Sequence, residues 1–312
     1  MVLPTRNRAH LVMRAASSVL AQDVGSLELV VVDDCSTDDT PDVLDRLTAL
    51  DGRVRVVRTT SAVGPCEARN RGLEVADGEL VSFCDDDDVW LPGARHVIDA
   101  TAADARVAAM SSWHMVGHVD SGGAAVYRGP LEYDARHLLW QNMVAMPFAV
   151  IRRSALSFEV RFDPMLPTGE DWDLYLRCAR DGPFRSLPQV SYLYAQHAGA
   201  RVTRAAAAQV EGRRNFLAKH TGDMTPACRA YHEAVLAGYQ AGRKGILRRL
   251  ASRHGVSASE SAYVTAVLFA SLAASRVGVR RSDPGLQARR MVSWIDHDPG
   301  RNRVSSTARS GP

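Results

Sequence analysis

The sequence of 312 residues lacks the features of several protein classes. Its five cysteines are odd in number, widely spaced and form no C-x-x-C pair, which argues against a disulfide framework or zinc site and favours a reducing cytosol. No apolar signal-peptide stretch follows Met1. The longest largely apolar run, 262–274, contains Thr265 and Ser271 and falls short of the roughly 20 residues needed to span a bilayer. We therefore expect a soluble, cytoplasmic protein.

The chain has no large excess of charge of one sign, but its two parts differ. Residues 1–200 hold 19 basic and 28 acidic residues, a net charge of −9, whereas residues 201–312 hold 19 and 7, a net charge of +12. A duplex-binding domain normally carries its basic patch on the folded module. Here the part richest in strand patterns is acidic, so nucleic acid is not the expected partner.

Strand and helix patterns alternate over the first 90 residues. Apolar runs at 1–4, 27–32, 54–57 and 80–84 are typical of strands buried in a parallel sheet. Helical spacing predicts helices over 11–20 and 67–75, and a helix capped by Thr40 that continues to Leu50. The 46% apolar content is sufficient for a substantial core. This alternation predicts a sheet with helices on both faces.

The later chain is less regular. Strands are predicted at 107–116, 124–127, 148–151 and 190–194, and an amphipathic helix at 170–180. After about residue 205 the chain is rich in Ala and Arg with helical periodicity, and the residues beyond Pro299 are predicted to form a disordered tail.

Polar clusters follow three of the predicted strands. They are Thr5–Asn7, Asp33–Ser36 and Asp85–Asp88. In open α/β sheets ligands bind outside the carboxyl ends of the strands. These clusters are therefore predicted to face one crevice.

The run Asp85–Asp88 is the sharpest feature. Two unit charges about 4 Å apart repel by roughly 4 kcal/mol at an effective dielectric of about 20, and a divalent cation would remove that cost. Oxygen-only ligands suit Mg²⁺ or Mn²⁺. The alternative is a solvated acidic turn, although Phe83 and Trp90 place the run between a buried strand and a helix start.

The cluster that begins at Asp33 also has two interpretations. Asp, Ser and Thr favour loops and helix caps because of their own backbone hydrogen bonds. That accounts for Ser36–Thr40, but not for two acids, Asp33 and Asp34, at the end of a strand. A carboxylate there can accept a hydrogen bond from a nucleobase N–H or a ribose hydroxyl.

Together the motifs resemble those of the family 2 glycosyltransferases, in family order and over roughly residues 1–200. The matching segments are Pro4-Thr5-x-Asn7, Asp33-Asp34-x-Ser36-x-Asp38-x-Thr40, Gly64 with Ala68-Arg69-Asn70-x-Gly72, Asp85-x-Asp87-Asp88-x-Trp90-x-Pro92, and Glu170-Asp171-Trp172. The resemblance implies a GT-A fold, a Rossmann-like mixed α/β sheet flanked by helices, here with a mostly helical C-terminal extension. It also implies an inverting, nucleotide-sugar-dependent transferase.

The resemblance assigns roles to particular residues. Asp87 would be the principal ligand of Mn²⁺ or Mg²⁺, with Asp85 as the other acid of the D-x-D pattern. The residues expected to bind the nucleotide sugar are Pro4, Thr5, Asn7, Asp33, Asp34, Arg69, Asp85 and Asp86. Among them, Arg69 would hold the base or diphosphate side and Asp86 the ribose. His197 resembles a downstream histidine that approaches the metal, although a lone His after a strand is more often structural.

Asp171 would be the general base. An inverting displacement needs a group that takes the proton of the acceptor hydroxyl as it attacks the anomeric carbon. Glu170 and Trp172 flank Asp171 with a like charge and an apolar ring, both of which raise a carboxyl pKa. Without the upstream motifs, an ordinary acidic helix N-terminus would be preferred.

Two departures from the family pattern concern the nucleotide pocket. Arg6 replaces the aromatic residue usual between Thr and Asn, and the first strand begins at Met1 without the usual preceding residues, which is compatible with a native start upstream. Trp113, His114 and Trp140 lie in the region that would shape the acceptor site, with core packing as the alternative. Arg201 is a candidate phosphate contact.

The predicted organisation is a catalytic domain over 1–204, a helical region over 205–298 and a tail over 299–312. Residues 1–92 would bind the nucleotide and 93–204 the acceptor, a glycan, lipid or natural product. The basic C-terminal region either touches an anionic surface such as the inner face of the membrane, or packs on the acidic half or on a second subunit of a homo-oligomer. A UDP-sugar donor is favoured, with transfer of a hexosyl or N-acetylhexosaminyl group.

Two other functions remain open at this stage. A nucleotidyltransferase shares a similar sheet, but is expected to carry a Gly-rich loop after the first strand, and residues 4–8 contain no glycine. A non-catalytic nucleotide- or sugar-binding protein is the other alternative.

Overall fold

The computed structural model describes residues 1–117, 124–142, 144, 148–195 and 206–251. The chain forms two compact units. The first, here called the sheet unit, comprises residues 1–134, 144–164 and 170–199, and the second, the helical unit, comprises 135–143, 165–169 and 200–312. The domain boundary after residue 204 stays a prediction. The predicted tail and most of the basic region, from residue 252 onward, lie outside the described residues, as do His197 and Arg201.

The sheet unit begins with three parallel strands in the order β1-β2-β3. The strands alternate with helices: β1 (Val2–Thr5), α1 (Ala9–Leu20), β2 (Leu29–Asp33), α2 (Thr40–Leu50), β3 (Val54–Arg58) and α3 (Pro65–Val75). All five residues of β2 are buried, as its continuous apolar run predicts. The buried residues of α1, Val12, Ala15, Ala16 and Val19, follow helical spacing.

A second set of strands forms a sheet in the order β4-β9-β6-β10-β5, with β7 beside β6 and β8 beside β10. Its strands are β4 (Leu80–Val81), β5 (Val89–Trp90), β6 (Ala109–Gly117), β7 (Ala124–Tyr127), β8 (Glu132–Tyr133), β9 (Ala149–Arg152) and β10 (Phe184–Ala195). The helices are α4 (Ala94–Ala103) and α6 (Glu170–Asp181). The β6 and β10 strands are parallel and the other pairs antiparallel, which confirms the predicted mixed α/β sheet.

The segment after β4 connects the two sheets. Val2 donates its N–H to the Ser82 carbonyl (2.9 Å) and accepts from the Cys84 N–H at its own carbonyl (3.1 Å). Only Leu80 and Val81 form a regular ladder, so the fourth strand is shorter than predicted. The acidic run that starts at Asp85 therefore leaves the sheet beside the end of β1.

Helix α3 packs unusually close to β1. A Cβ atom at Gly72 would lie 2.4 Å from Cγ1 of Val2, a distance that real side chains do not reach. Only glycine fits here because the helix backbone lies against the buried side chains of Val2 and Val32. This close contact fixes Arg69 and Asn70, one turn earlier, against the carboxyl edge of the sheet.

The start of α2 differs from the prediction by one residue. The N-cap is Asp39, not Thr40. Asp38 Oδ1 accepts the Thr40 N–H (3.0 Å), and the Thr40 hydroxyl accepts the Arg8 N–H (3.0 Å). The Thr40 side chain therefore joins α2 to the loop after β1 instead of capping its own helix.

The helical unit contains α5 (Ala135–Trp140), α7 (Ala206–His220) and α8 (Pro226–Ala251). His232 of α8 is fully buried, donates from Nε2 to the Leu139 carbonyl (2.7 Å) and accepts at Nδ1 from Arg213 (2.9 Å). One donor and one acceptor are what a neutral imidazole offers. Burial and the Arg213 charge lower the pKa of His232 to about 3. Within the described part of the chain, no helix is long and apolar enough to cross a membrane.

The neutral form of His232 predicts a pH-dependent contribution to stability. The folded-state pKa lies below the unfolded value of about 6.5, so the contribution is fully present above pH 6.5 and is lost as the pH falls towards 3. We expect His232→Gln to lower the free energy of unfolding at pH 7. The difference in this free energy between variant and wild type, the gap, should be smaller at pH 4. Urea denaturation measures both values.

The exposed His96 provides the matched control. His96→Gln removes an exposed side chain and should change the free energy of unfolding little at pH 7. A gap for His232→Gln that does not narrow on acidification would contradict the buried neutral imidazole.

Candidate active site

The loops after β1 and β2 are joined by Asn7. Its side-chain oxygen accepts the Thr37 N–H (2.7 Å), and its own N–H donates to Ser36 Oγ (2.9 Å). Asn7 has a φ of +52°, a left-handed conformation that Asn tolerates better than most residues. The predicted donor-binding residues Pro4, Thr5, Asn7, Asp33 and Asp34 therefore lie together at the carboxyl edge of the sheet.

Asp33, the last residue of β2, and Asp34, which follows it, are both buried but have different hydrogen-bond partners. Asp33 Oδ1 accepts the Ser36 N–H (3.0 Å) and so closes the turn after the strand. Asp34 holds the segment before α3: its Oδ1 accepts from Thr59 Oγ1 (3.0 Å) and the Val63 N–H (2.7 Å), and its Oδ2 accepts the Gly64 N–H (2.9 Å). A carboxylate has about four lone-pair positions, so Asp34 keeps one acceptor position for a further donor group.

The acids of the run Asp85–Asp88 have different partners. Asp86 Oδ2 accepts the Thr5 hydroxyl (2.8 Å), which ties the run to β1. Asp87 lies 3.8 Å from the Arg8 guanidinium, and its carbonyl accepts from Arg14 (2.8 Å). Asp88 is fully buried and accepts hydrogen bonds from the Tyr192 hydroxyl and from the Ala195 N–H (2.8 Å).

Burial changes the protonation of two of these acids. It raises the pKa of Asp86 to about 7, and the charges of Asp87 and Asp85 add to the shift although the Thr5 hydrogen bond opposes it. Burial also raises the pKa of Asp88 well above its usual range, with the same two neighbouring charges adding to the effect.

Three carboxylates of the run could hold a metal ion. One oxygen each of Asp85, Asp87 and Asp88 lie within 4.8 Å of one another. Hard oxygen donors in this number are the ligands that Mg²⁺ and Mn²⁺ prefer, with substrate oxygens completing the shell. The donor set therefore fits the predicted cation.

Arg69 connects the acidic run to the start of α6. Its Nη2 lies 2.7 Å from Asp85 Oδ1 and its Nη1 lies 3.1 Å from Glu170 Oε1. Asp171, the next residue along, is buried in the first turn of α6. The structure therefore brings the predicted metal motif and the helix start that carries the predicted base to opposite sides of one guanidinium.

The residues considered for the acceptor side have structural partners. Trp113 Nε1 donates to the Gly129 carbonyl (3.2 Å), and His114 stacks on Tyr127 with ring centroids 4.7 Å apart. Burial lowers the pKa of His114 to about 4. In the helical unit, Trp140 packs against Tyr231 at 5.5 Å. These contacts support the core-packing interpretation, although Trp113 is only half-buried, with the Arg128 guanidinium over its ring at 5.8 Å.

Three residues near this edge were not predicted as site residues. Asp88 joins the group of potential metal ligands, and Arg8 lies beside the principal predicted ligand, Asp87. Asn70 holds the backbone of Phe162, 92 residues away, through two hydrogen bonds. The sequence signal for Asn70 was its place in the quoted motif, whereas nothing in the local pattern indicated the partner of Arg8.

The mixed α/β sheet, with the loops after β1 and β2 gathered beside an acidic run, has the GT-A architecture. Residues 1–157 match the family described as Glycosyl transferase family 2. The chain belongs to this family and is a glycosyltransferase that acts on nucleotide sugars, which confirms the membership predicted from the motifs.

Relatives and solved structures agree with this assignment. The GalNAc(5)-diNAcBac-PP-undecaprenol beta-1,3-glucosyltransferase of Campylobacter jejuni is 42% identical over 94 residues, which cover 30% of this chain and 30% of that one. TarS 1–349 of S. aureus in complex with UDP-GlcNAc has a TM-score of 0.62 at 18% identity, with 95% of this chain and 90% of that chain covered. The mannosyltransferase PcManGT of Pyrobaculum calidifontis with GDP-Man and Mn²⁺ has a TM-score of 0.60 at 19% identity, covering 95% and 85%.

The three hydrogen bonds of Asp34 predict a structural cost for its removal. In Asp34→Asn one acceptor oxygen becomes an N–H donor that faces a backbone N–H of the segment Val63–Gly64. We expect the free energy of unfolding to fall by about 1–3 kcal/mol, the cost of a buried polar group left unsatisfied. Urea denaturation measures this free energy. The control variant is Asp99→Asn, since Asp99 is exposed and pairs at the surface, with Arg95. Equal stability of both variants would contradict the role of Asp34 in this loop.

Proposed function

We propose that the protein is a metal-dependent, inverting glycosyltransferase that moves a hexosyl or N-acetylhexosaminyl group from a UDP-sugar to an acceptor hydroxyl. The observation that carries the proposal is the grouping of the Asp85, Asp87 and Asp88 carboxylates beside the end of β1. The donor-binding residues would be Pro4, Thr5, Asn7, Asp33, Asp34, Asp85 and Asp86, all at this edge. The UDP-GlcNAc in TarS and the Mn²⁺ in the archaeal mannosyltransferase support this proposal.

The bonds of the reaction assign a task to each group. The acceptor oxygen attacks the anomeric carbon while the bond from that carbon to the diphosphate oxygen breaks and its electron pair goes to the diphosphate. Asp171 would take the proton from the acceptor hydroxyl. Attack on the face opposite the leaving group inverts the anomeric configuration, and no covalent nucleophile is needed.

The negative charge on the leaving diphosphate needs compensation. A Mn²⁺ or Mg²⁺ ion held by Asp87 and Asp85, with Asp88 in reach, would supply positive charge there. Arg8, close to Asp87, would add a cation at the same edge. The Thr5 hydroxyl holds Asp86, and this contact would orient that carboxyl for the ribose.

The acceptor is proposed to be a glycan or a lipid-linked sugar. The Campylobacter relative bears a name that specifies a glycan on a polyprenyl diphosphate. An acceptor of that kind resides at a membrane surface, which is compatible with peripheral attachment at its inner face. The cytoplasmic location, the membrane contact of the basic region and a homo-oligomer all stay predictions.

The metal role predicts a large effect of Asp87→Asn. The amide loses the negative charge that would hold the cation, so we expect transfer to fall by about 10²–10³-fold, the range for removing one group that stabilises transition-state charge. Mn²⁺-dependent binding of UDP, measured by calorimetry, should weaken in parallel. The control is Asp23→Asn, at an acid that is 93% exposed. Full activity of Asp87→Asn with undiminished Mn²⁺ dependence would refute the metal role.

The base role predicts a different pattern for Asp171→Asn. An amide cannot take a proton, so we expect kcat to fall by about 10²–10⁴-fold while UDP binding with Mn²⁺ stays within about threefold of wild type. Asp181→Asn, at the other end of α6, is the matched control. If Asp171→Asn abolishes UDP binding as well as transfer, the residue is structural and the base must lie elsewhere.

A further inference from the structure

Arg69 is placed between two carboxylates that lie far apart in the sequence. Its two terminal nitrogens are engaged by different partners, Nη2 by Asp85 at 2.7 Å and Nη1 by Glu170 at 3.1 Å. Asp85 is 16 residues and Glu170 101 residues from Arg69 along the chain. The guanidinium is therefore a cross-link between the loop that follows β4 and the first residue of α6.

The surface beneath the guanidinium is itself held in place. Arg69 lies over the Phe162 ring at 5.3 Å from its centroid. The Asn70 amide donates to the Phe162 carbonyl (3.1 Å) and accepts the Phe162 N–H (2.8 Å), and the Phe162 ring packs edge-on against Phe83 at 4.8 Å. Contact with a fixed ring restricts where the guanidinium can lie.

The burial of Arg69 decides between contact with the donor and an internal role. The side chain is only 5% exposed, and its Nε is buried without a hydrogen-bond partner among the described residues. Little of the guanidinium is thus accessible to a nucleotide sugar. The Asp85 and Glu170 charges raise the pKa of Arg69 against the effect of burial, so the cation persists at every working pH.

We propose that Arg69 is a positioning residue that fixes the acidic run relative to the start of α6, and hence the metal side of the reaction relative to Asp171. The proposal rests on the proposed function for the roles of Asp87 and Asp171. The leaving diphosphate and the attacking hydroxyl lie on opposite sides of the anomeric carbon. The metal ligands that serve the first and the base that serves the second must therefore stay at a fixed distance from each other. A misplacement of about 1 Å can cost about 10²-fold in rate.

Lysine cannot replace this link because an ammonium is a point charge, whereas the guanidinium holds two acids in a planar fork. We therefore expect Arg69→Lys to lower kcat by about 10–100-fold, with UDP affinity in the presence of Mn²⁺ within about threefold of wild type. Glu170→Gln breaks the other end of the link without altering Arg69 and should lower kcat in the same direction. Calorimetry gives the affinity, and transfer from UDP-sugars gives kcat.

Arg71→Lys is the matched control. Arg71 lies on the same helix, is 50% exposed and pairs with Glu67 and Glu74, so its replacement should leave kcat and affinity unchanged. The double variant Arg69→Lys/Glu170→Gln should be no slower than the slower single variant, because both remove one link. If the loss in kcat of the double variant equals the product of the two single losses, the positioning role is overturned. It is also overturned if Arg69→Lys keeps kcat but loses UDP affinity as much as it loses kcat/KM, because that result indicates direct donor contact.

Hydrogen exchange followed by mass spectrometry tests the link without turnover. UDP with Mn²⁺ should slow exchange at the first turn of α6 in wild type and in Arg71→Lys, and this slowing should be absent in Arg69→Lys and Glu170→Gln. If UDP with Mn²⁺ still slows exchange at the first turn of α6 in both Arg69→Lys and Glu170→Gln, the link is refuted. Should wild type bind UDP but transfer no sugar, the proposed function fails, whereas the exchange result still decides the role of Arg69.

Discussion

Four consecutive carboxylates at the end of a buried strand are the constraint on which this edge of the molecule depends. Each is accommodated by a different partner: Asp85 by the Arg69 guanidinium, Asp86 by the Thr5 hydroxyl, Asp87 by the nearby Arg8, and Asp88 by Tyr192 and Ala195. Burial further raises the pKa of Asp86 and Asp88. Repulsion among four neighbouring carboxylates opposes folding. Partners from β1, the loop after it, α3 and β10 offset this repulsion.

In this arrangement, nearby arginines balance part of the charge of the predicted metal ligands. Asp85 and Asp87 keep carboxylates that face a common point with Asp88, while arginines balance part of their charge. Arg8 lies close enough to Asp87 to add positive charge at the same edge. Part of the acidic character of residues 1–200 thus lies where a cation and a polyanion are expected to meet.

Local sequence patterns predicted the first three strands and the helices α1, α2, α3 and α6 well, but they located only residues 190–194 of β10 and did not predict β5, β8 or α5. Continuous apolar runs gave β1, β2 and β3, and the amphipathic pattern gave α6 to within one residue. The partners of the motif residues were not predictable in the same way. Asp88 pairs with Tyr192, and Arg69 pairs with Glu170, each across more than 100 residues of sequence. The spacing of apolar residues carries no information on which buried polar groups pair in the folded protein.

The segment Ala68–Gly72 shows what the motif adds to the pattern. Helical periodicity identified α3, but it gave no reason for arginine and asparagine on the buried side of the helix. Gly72 lets the helix approach β1, this approach brings Asn70 to the Phe162 backbone, and Phe162 then supports Arg69 between its two acids. Each step depends on the one before it. A larger residue at Gly72 would therefore disturb the contacts of Arg69 with its two acids.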